Sequence, residues 1–218
     1  ACALGDAMGA ATEQWQIDEI LAAHGGMLRE LIPPPIDTFS YRDKAGYVTD
    51  DCSQMFALAE AIIKTSGDLT REAWLERMLD WSVNSPFKYA MGPTTRPIFE
   101  ALQRGESIER IGAIGQSNRK LTSMGVTNGA GMRVAPAGLI NPGDIEGAVR
   151  TAWISCYPTH DTQIAASGAA AIAAGVAMAL VPGADVFSVV QACLEGAKLG
   201  EELGAKEGRR VAGPSIYR

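Results

Sequence analysis

The sequence feature that most restricts the fold is a long apolar run of small residues, residues 164–181. The run is long enough to raise the question of a membrane span. Its bulk is Ala and Gly, however, which are weakly hydrophobic and allow helices to approach each other closely. We therefore predict a buried central helix in a soluble helical bundle, and no membrane partner.

The rest of the chain also shows helical periodicity, and no alternating apolar and polar strand pattern stands out. Thr70 and Asp144 are typical N-caps for two helices whose apolar faces include Trp74, Met78 and Trp153. Gly and Pro turns separate the helical segments. We predict an all-α, roughly orthogonal multi-helix bundle that forms one domain over residues 1–218.

Two further helices are predicted with defined apolar faces, and a third is expected to be short. The short helix restarts at Gly105-Glu106-Ser107. The first long helix runs from about Asp50 to Lys64, and the last helix of the chain runs from about Asp185 to Leu203. Their predicted buried faces are Met55, Phe56, Ala59, Ile62 and Ile63 in the first, and Val186, Val189, Val190, Cys193 and Leu194 in the last.

Composition excludes several classes of protein. With 47% apolar and 20% charged residues, the chain is typical of a globular domain. A net charge of -6 argues against a nucleic-acid or anionic-membrane surface, so nucleic acid is expected only as a modified substrate. The four cysteines are widely separated and are interpreted as reduced thiols. Because no leader pattern opens the chain, we expect a cytoplasmic protein, and we expect a monomer.

Two adjacent carboxylates, Asp50 and Asp51, follow Thr49 directly before a helix-periodic run. One interpretation is a helix N-terminus, where Thr49 or Asp50 is the cap and the acids face free backbone N–H groups. The other is a hard-cation site, because carboxylate and hydroxyl oxygens suit Mg²⁺, Mn²⁺ or Ca²⁺. This segment alone leaves both interpretations open.

Two other segments place polar groups among small residues. Asp6 and Glu13 lie among Gly and Ala, where a buried charge requires a partner or a wet cleft. Residues 125–131 contain three glycines, which expose backbone N–H groups and permit positive φ angles. Such a loop is typical of an anion or ribose cradle. Neither a dinucleotide fingerprint nor a P-loop lysine accompanies it, so an ordinary turn before a helix is the alternative.

Separated motifs, in this order along the chain, resemble those of the ADP-ribosylglycohydrolases. This family includes the hydrolase that releases ADP-ribose from dinitrogenase reductase. The resemblance covers essentially the whole chain, and the motifs are more specific together than any one alone. They are Gly5-Asp6-Ala7-Met8-Gly9 followed by Glu13, Thr49-Asp50-Asp51 for the family's TDD, Gly92-Pro93-Thr94-Thr95 for GP-T, residues 128–136 for NGAxMRxAP, and Thr159-His160 for TH.

The resemblance implies hydrolysis of the glycosidic bond at the ribose C1″ of an ADP-ribosylated protein or small molecule. It also implies two Mg²⁺ or Mn²⁺ ions, with Thr49, Asp50 and Asp51 as ligands. Glu13 would be the general acid or base, or would position water, with Asp50 and Asp51 as the other catalytic residues. The implied substrate-binding residues are Gly125, Val126, Thr127, Asn128, Gly129 and His160.

One part of the family pattern is missing. The family completes its two-metal site with a C-terminal DxDT segment, and this chain has no equivalent. Asp161-Thr162 follows directly on the TH motif and lacks the first aspartate, so no metal role is assigned to it. We expect the chain to be truncated at both ends, since it begins at Ala1 and stops at Arg218 without helix punctuation.

Three alternatives come from other classes. A metal phosphohydrolase built on His160-Asp161 requires several histidines, and the chain has two. A Cys156 nucleophile beside His160 lacks any family-specific context. A degenerate glycohydrolase fold, retained as a binding or structural protein as in lens crystallins, is favoured by the missing ligands and opposed by the intact Thr49-Asp50-Asp51 and Glu13.

Overall fold

A computed structural model describes residues 1–36, 44–106 and 125–217. These ranges contain helices and no strand, apart from one isolated bridge between Thr162 and Arg209. The predicted all-α bundle is therefore confirmed. The helices are α1 (Cys2–Gly9), α2 (Ile17–His24), α3 (Asp50–Lys64), α4 (Arg71–Asn84), α5 (Thr95–Gln103), α6 (Ala135–Leu139), α7 (Ile145–Cys156), α8 (Gln163–Ala179) and α9 (Val186–Glu207), with 3₁₀ turns at Ala10–Thr12 and Lys88–Ala90.

Side-chain caps define the starts of the five longest of the described helices. In each, an oxygen of the capping side chain accepts a hydrogen bond from a backbone N–H two or three residues later, which satisfies one of the free donors of the first turn. The start of α3 at Asp50 and its end at Lys64 agree with the sequence prediction. The short helix expected to restart at Gly105-Glu106-Ser107 would run into residues 107–124, which lie outside the described residues. The caps are Thr49, Thr70, Asp144, Thr162 and Asp185.

The small-residue run forms α8, which packs against α6, α7 and α9. Along the contact with α9, a Cβ added at Gly200 would lie 2.5 Å from both Ala166 O and the Ala170 Cβ. A Cβ at Gly196 or at Gly204 would also lie within 2.8 Å of α8 atoms. The two helices therefore meet almost backbone to backbone. Within the described ranges, none of the helices combines the length and apolar character needed to cross a membrane.

The predicted buried face of α9 is wrong at three of its five positions, whereas Val189 and Cys193 are half-buried against Gly175 of α8. Val186, Val190 and Leu194 are 67%, 52% and 45% exposed, and the buried positions are instead Ala192, Gly196, Ala197, Gly200 and Gly204. A contact this close excludes large side chains, so the helix turns its small residues inward and its large apolar residues outward.

The predicted face of α3 is wrong at two positions. Phe56 is 50% exposed and Ile63 is 76% exposed, whereas Ile62 is buried as expected. The helix is rotated because its first turns also bury the polar side chains of Ser53 and Gln54, which have hydrogen-bond partners inside the protein.

Two apolar clusters form the core among the residues that the structure describes. The alanine cluster is built from α6, α7 and α8, and the aromatic cluster from α3, α4 and α5. Arg133 is fully buried between α3 and α7, and its guanidinium lies 5.3 Å from the centroid of the Trp74 ring. Trp74 in turn donates from Nε1 to Ser155 O at 3.2 Å. A buried polar layer thus joins the two clusters.

Candidate active site

The N-terminus of α3 is held by a carboxylate from α1. Asp6 accepts hydrogen bonds from the Thr49 N–H and the Thr49 hydroxyl, both at 2.8 Å, and from the Cys52 N–H at 3.2 Å. The Thr49 oxygen accepts from the Asp51 N–H at 3.2 Å. The capping interpretation of Thr49 is therefore confirmed, and Asp6 acts as a second cap from a distant part of the sequence.

Beside this helix end lies a cavity of about 290 Å³ whose floor is acidic. Glu13, Asp50 and Asp51 line it, and among its described lining residues no lysine or arginine balances them. The GP-T motif forms part of the rim. The other lining residues are Gln14, Ala90, Gly92, Pro93, Thr94, Thr95, Thr127, Asn128, Gly129, Met132 and His160.

Burial and mutual repulsion raise the pKa values of the three acids. Burial raises the pKa of Asp50 to about 7, and repulsion from Asp51 adds to the effect. The pKa of Glu13 is also raised, first by burial and then by Asp51 and Asp6. For Asp51, burial again raises the pKa most, followed by repulsion from Asp6. The cavity therefore favours binding of either protons or a cation.

The opposite wall is the glycine-rich loop, which rests on the TH motif. A Cβ at Gly129 would lie 2.5 Å from Cε1 of His160, so only glycine allows this approach. Gly125 has φ +82°, and a Cβ there would meet an Arg209 nitrogen at 2.8 Å. The Thr162 hydroxyl donates to Gly125 O at 2.7 Å. These contacts fix the loop while Thr127 and Asn128 stay exposed.

A chain of buried polar side chains runs behind the cavity from one wall to the other. Gln54 donates to Asp50 Oδ2 at 3.4 Å and accepts from Arg133 at 2.8 Å. Arg133 also donates to the Thr159 hydroxyl at 3.0 Å. That hydroxyl lies 2.7 Å from His160 Nδ1, and Nε2 lies 2.8 Å from the Thr127 hydroxyl, which completes the chain.

The structure brings most of the predicted site residues to one cavity. Gly125 is buried at the start of the loop and does not line the cavity. Val126 lines an adjoining apolar cavity that Thr127 and Asn128 also line. Thr49 is buried behind the acids as a cap. Predicted residues that line the main cavity are Glu13, Asp50, Asp51, Thr127, Asn128, Gly129 and His160.

His160, a predicted ligand-binding residue, lines the cavity with a fully buried side chain whose two ring nitrogens face threonine hydroxyls. Sequence reasoning missed the connecting roles of Gln54 and Thr159. Gln54 lies one turn after Asp50, and nothing in the sequence separates it from an ordinary exposed glutamine.

Two rival sites proposed from the sequence lack support in the described residues. Cys156 is fully buried, and burial raises the pKa of its thiol to about 12, the opposite of an activated nucleophile. Asp161 is bound by Arg209, with its Oδ1 3.0 Å from the Arg209 Nε. Its carboxylate therefore binds the C-terminal segment.

The acids suit a hard divalent cation chemically. Asp50 and Asp51 offer carboxylate oxygens, and the Thr49 oxygen keeps one lone pair beyond its two hydrogen bonds. In the part of the chain that the structure describes, no group of three or more His, Cys, Asp or Glu side chains is arranged to hold a metal ion. A cation here would complete its shell with water or substrate oxygens, as Mg²⁺ commonly does.

Comparison with known proteins agrees with the family resemblance of the sequence motifs. The ADP-ribosylglycohydrolase family model matches residues 1–213. An uncharacterized protein of Escherichia coli (strain K12), YegU, is 31% identical over 183 residues, which are 82% of this chain and 51% of that protein. An uncharacterized protein of Archaeoglobus fulgidus is 33% identical over 175 residues, 80% of this chain and 52% of the other.

The chain therefore spans about half the length of the curated relatives it matches. The family match nonetheless covers nearly every residue, and the motifs quoted from the sequence meet around one cavity. On this evidence the protein belongs to the ADP-ribosylglycohydrolase family.

Proposed function

We propose that this protein hydrolyses the glycosidic bond at the ribose C1″ of an ADP-ribosylated protein or small molecule, with Mg²⁺ or Mn²⁺ as cofactor. Family membership indicates glycohydrolase activity. The observation that carries the proposal is the single cavity in which Glu13, Asp50 and Asp51 face the Thr127–Gly129 loop. It combines groups for acid–base chemistry with donors for a phosphorylated sugar.

Each acid has a distinct role in the proposal. Asp50 and Asp51 would hold the cation, which supplies positive charge and orients the ribose hydroxyls. Glu13 is the proton-transfer group, because its raised pKa brings it closer to neutrality, where a general acid or base is most effective. Asp6 does not touch the substrate in this scheme. It fixes the helix end that presents Asp50 and Asp51.

The loop provides the binding half of the site. Thr127 and Asn128 expose their side chains toward the cavity, and the glycines leave backbone N–H groups accessible to phosphate and ribose oxygens. Recognition of an anion by N–H and O–H donors does not require a basic chain, which agrees with the net charge of -6.

The experiment is a calorimetric titration of the protein with ADP-ribose, with and without Mg²⁺ or Mn²⁺, followed by assay of ADP-ribosylated proteins for ADP-ribose release. We expect metal-dependent binding and release, and Asp51→Asn should reduce the release by roughly 10³-fold. Asp68→Asn, at an exposed position between α3 and α4, is the matched control and should behave like wild type.

Two results would contradict the proposal in different ways. Metal-dependent binding of ADP-ribose without release from any substrate would indicate a binding module, the alternative drawn from the sequence. Release that persists in chelator would remove the metal from the mechanism.

A further inference from the structure

Arg133 is a buried cation whose described partners are all neutral. Its side chain is fully buried and donates to Gln54 Oε1, Ser155 O and Thr159 Oγ1 at 2.8, 2.7 and 3.0 Å. Among the residues that the structure describes, no carboxylate forms an ion pair with it, and its Nε has no hydrogen-bond partner. Burial of such a group raises the free energy of the folded state. The buried guanidinium also restricts the hydrogen bonds that its neighbours can form.

Arg133 first restricts the hydrogen bonds of the Thr159 hydroxyl. A guanidinium can only donate, so one lone pair of the Thr159 oxygen is committed to Arg133. The second polar neighbour of that oxygen is His160 Nδ1, at 2.7 Å. Thr159 is fully buried, and within the described ranges its oxygen has no further partner. Its hydroxyl hydrogen is satisfied only if it points at Nδ1, which must then be unprotonated.

The protonation state of Nδ1 also determines that of Nε2 on the other side of the ring. A neutral imidazole with an unprotonated Nδ1 carries its hydrogen on Nε2, which lies 2.8 Å from the Thr127 hydroxyl. The Thr127 oxygen therefore accepts from His160, and its own hydrogen is free. Thr127 is exposed and lines the cavity, so this hydrogen can point into it.

We propose that Arg133 is a positioning residue that acts through Thr159. It holds His160 in the Nε2–H tautomer and leaves the Thr127 hydroxyl to donate to an oxygen acceptor of the bound substrate. The last step rests on the proposed function, in which that acceptor is a phosphate or ribose oxygen.

Two independent features agree with this arrangement. Burial, together with the charges of Arg133 and Arg209, lowers the pKa of His160 to about 3, which keeps the ring neutral at physiological pH. The ring is also confined, because Gly129 approaches it so closely that a Cβ would lie 2.5 Å from Cε1.

The test is nitrogen NMR of the ¹⁵N-histidine-labelled protein, which has two histidines, His24 and His160. Couplings from the ring nitrogens to the carbon-bound ring protons distinguish the two tautomers. His24→Gln removes one set of signals and assigns the other to His160. We expect one tautomer, Nε2–H, in wild type.

Two variants test the role of the arginine. Arg133→Met removes the obligatory donor to Thr159, and Thr159→Val removes the hydroxyl while nearly keeping its volume. In each we expect loss of the single tautomer, with an Nδ1–H population appearing. We also expect about tenfold weaker ADP-ribose binding, the effect of one lost hydrogen bond to a charged acceptor. Arg150→Met, at an exposed arginine of α7, is the control and should change neither.

Results that overturn the tautomer inference can be distinguished from results that overturn the proposed function. An Nδ1–H ring in wild type, or an unchanged tautomer in folded Arg133→Met and in Thr159→Val, would overturn the inference whether or not any ligand binds. If Arg133→Met fails to fold, Thr159→Val decides. Absence of ADP-ribose binding by wild type would overturn the proposed function and the substrate step, while the spectrum alone would still decide the tautomer.

Discussion

The contact between α8 and α9 and the N-terminus of α3 have opposite effects on the stability of the folded state. Gly196, Gly200 and Gly204 meet α8 with no space for a methyl group, so this contact is apolar and close-packed. At α3, the carboxylates of Asp50 and Asp51 share one cavity with Glu13, and burial first, then repulsion from neighbouring acids, raises the pKa of each. The first arrangement lowers the free energy of the folded state, and the second raises it.

The comparison indicates that one part of the molecule, the α8–α9 contact, stabilises the fold, while another part, the acidic cavity at α3, holds the groups of the proposed reaction. Repulsion between acids is tolerated because Asp6 caps the helix end and because the helices elsewhere are tightly packed. Substitutions at the acids should therefore affect activity more than folding, and substitutions at the α8–α9 contact should do the reverse.

The largest effect is expected for Asp51→Asn. It removes a charge that the proposed cation needs, so ADP-ribose release should fall by roughly 10³-fold, as expected from loss of several kcal/mol of transition-state stabilisation. Because the acids repel one another, the metal-free variant should be at least as stable as wild type. Parallel assays and urea denaturation check both points. Undiminished release would remove Asp51 from the site.

The second largest effect is expected in the pH dependence of the free energy of unfolding. The folded pKa of Asp50, about 7, lies above the ordinary value of 3.8, so the folded state binds a proton more tightly than the unfolded state. The resulting stabilisation is fully present below about pH 4 and is lost as pH rises through 7, at most roughly 4 kcal/mol. Urea denaturation in chelator should show this loss, and Asp50→Asn should remove that part of it.

The same denaturation experiment also shows whether Mg²⁺ binds to the acids. Mg²⁺ added at pH 8 should restore the stability lost by wild type, because a cation replaces the proton as the partner of the acids. The control Asp68→Asn should follow wild type throughout. A wild-type stability that rises steadily from pH 5 to 8 in chelator, with no difference from Asp50→Asn, would contradict the raised pKa.

A third effect belongs to the helix contact. Gly200→Ala places a methyl group 2.5 Å from Ala166 O and should reduce the free energy of unfolding by about 1–3 kcal/mol. The matched control is Gly5→Ala in α1, where no atom lies within 4 Å of the added Cβ and the change should stabilise by up to ~1 kcal/mol. Equal stabilities of the two variants would show that α8 and α9 can separate without cost.

The smallest effect is expected in the loop. Asn128→Ala should weaken ADP-ribose binding by about tenfold, because one polar contact to the ligand is lost. Mg²⁺ binding should be nearly unchanged, since the acids lie on the opposite wall. Asn84→Ala on α4 is the control, and calorimetry measures both ligands. Unchanged affinity for ADP-ribose would make the loop structural only.

Much of the local structure was predictable from sequence. Thr70 and Asp144 signal helix starts through a local interaction between a side chain and the next turn, and both predicted caps are confirmed. At α3 the sequence leaves Thr49 and Asp50 as alternatives, and the structure shows that Thr49 is the cap. Helical faces were less predictable. Periodicity locates a stripe of large apolar residues, but at α9 the buried stripe consists of glycine and alanine.

The sequence by itself determined the all-α class, the helix boundaries set by capping, and the family to which the motifs belong. Only the tertiary structure decided which residues act together, because contacts such as Asp6 with Thr49 join positions far apart in the chain. The same holds for the route from Asp50 through Gln54 and Arg133 to His160. Hydrogen-bond partners across a core depend on how helices are rotated and stacked, and residue type alone does not encode that arrangement locally.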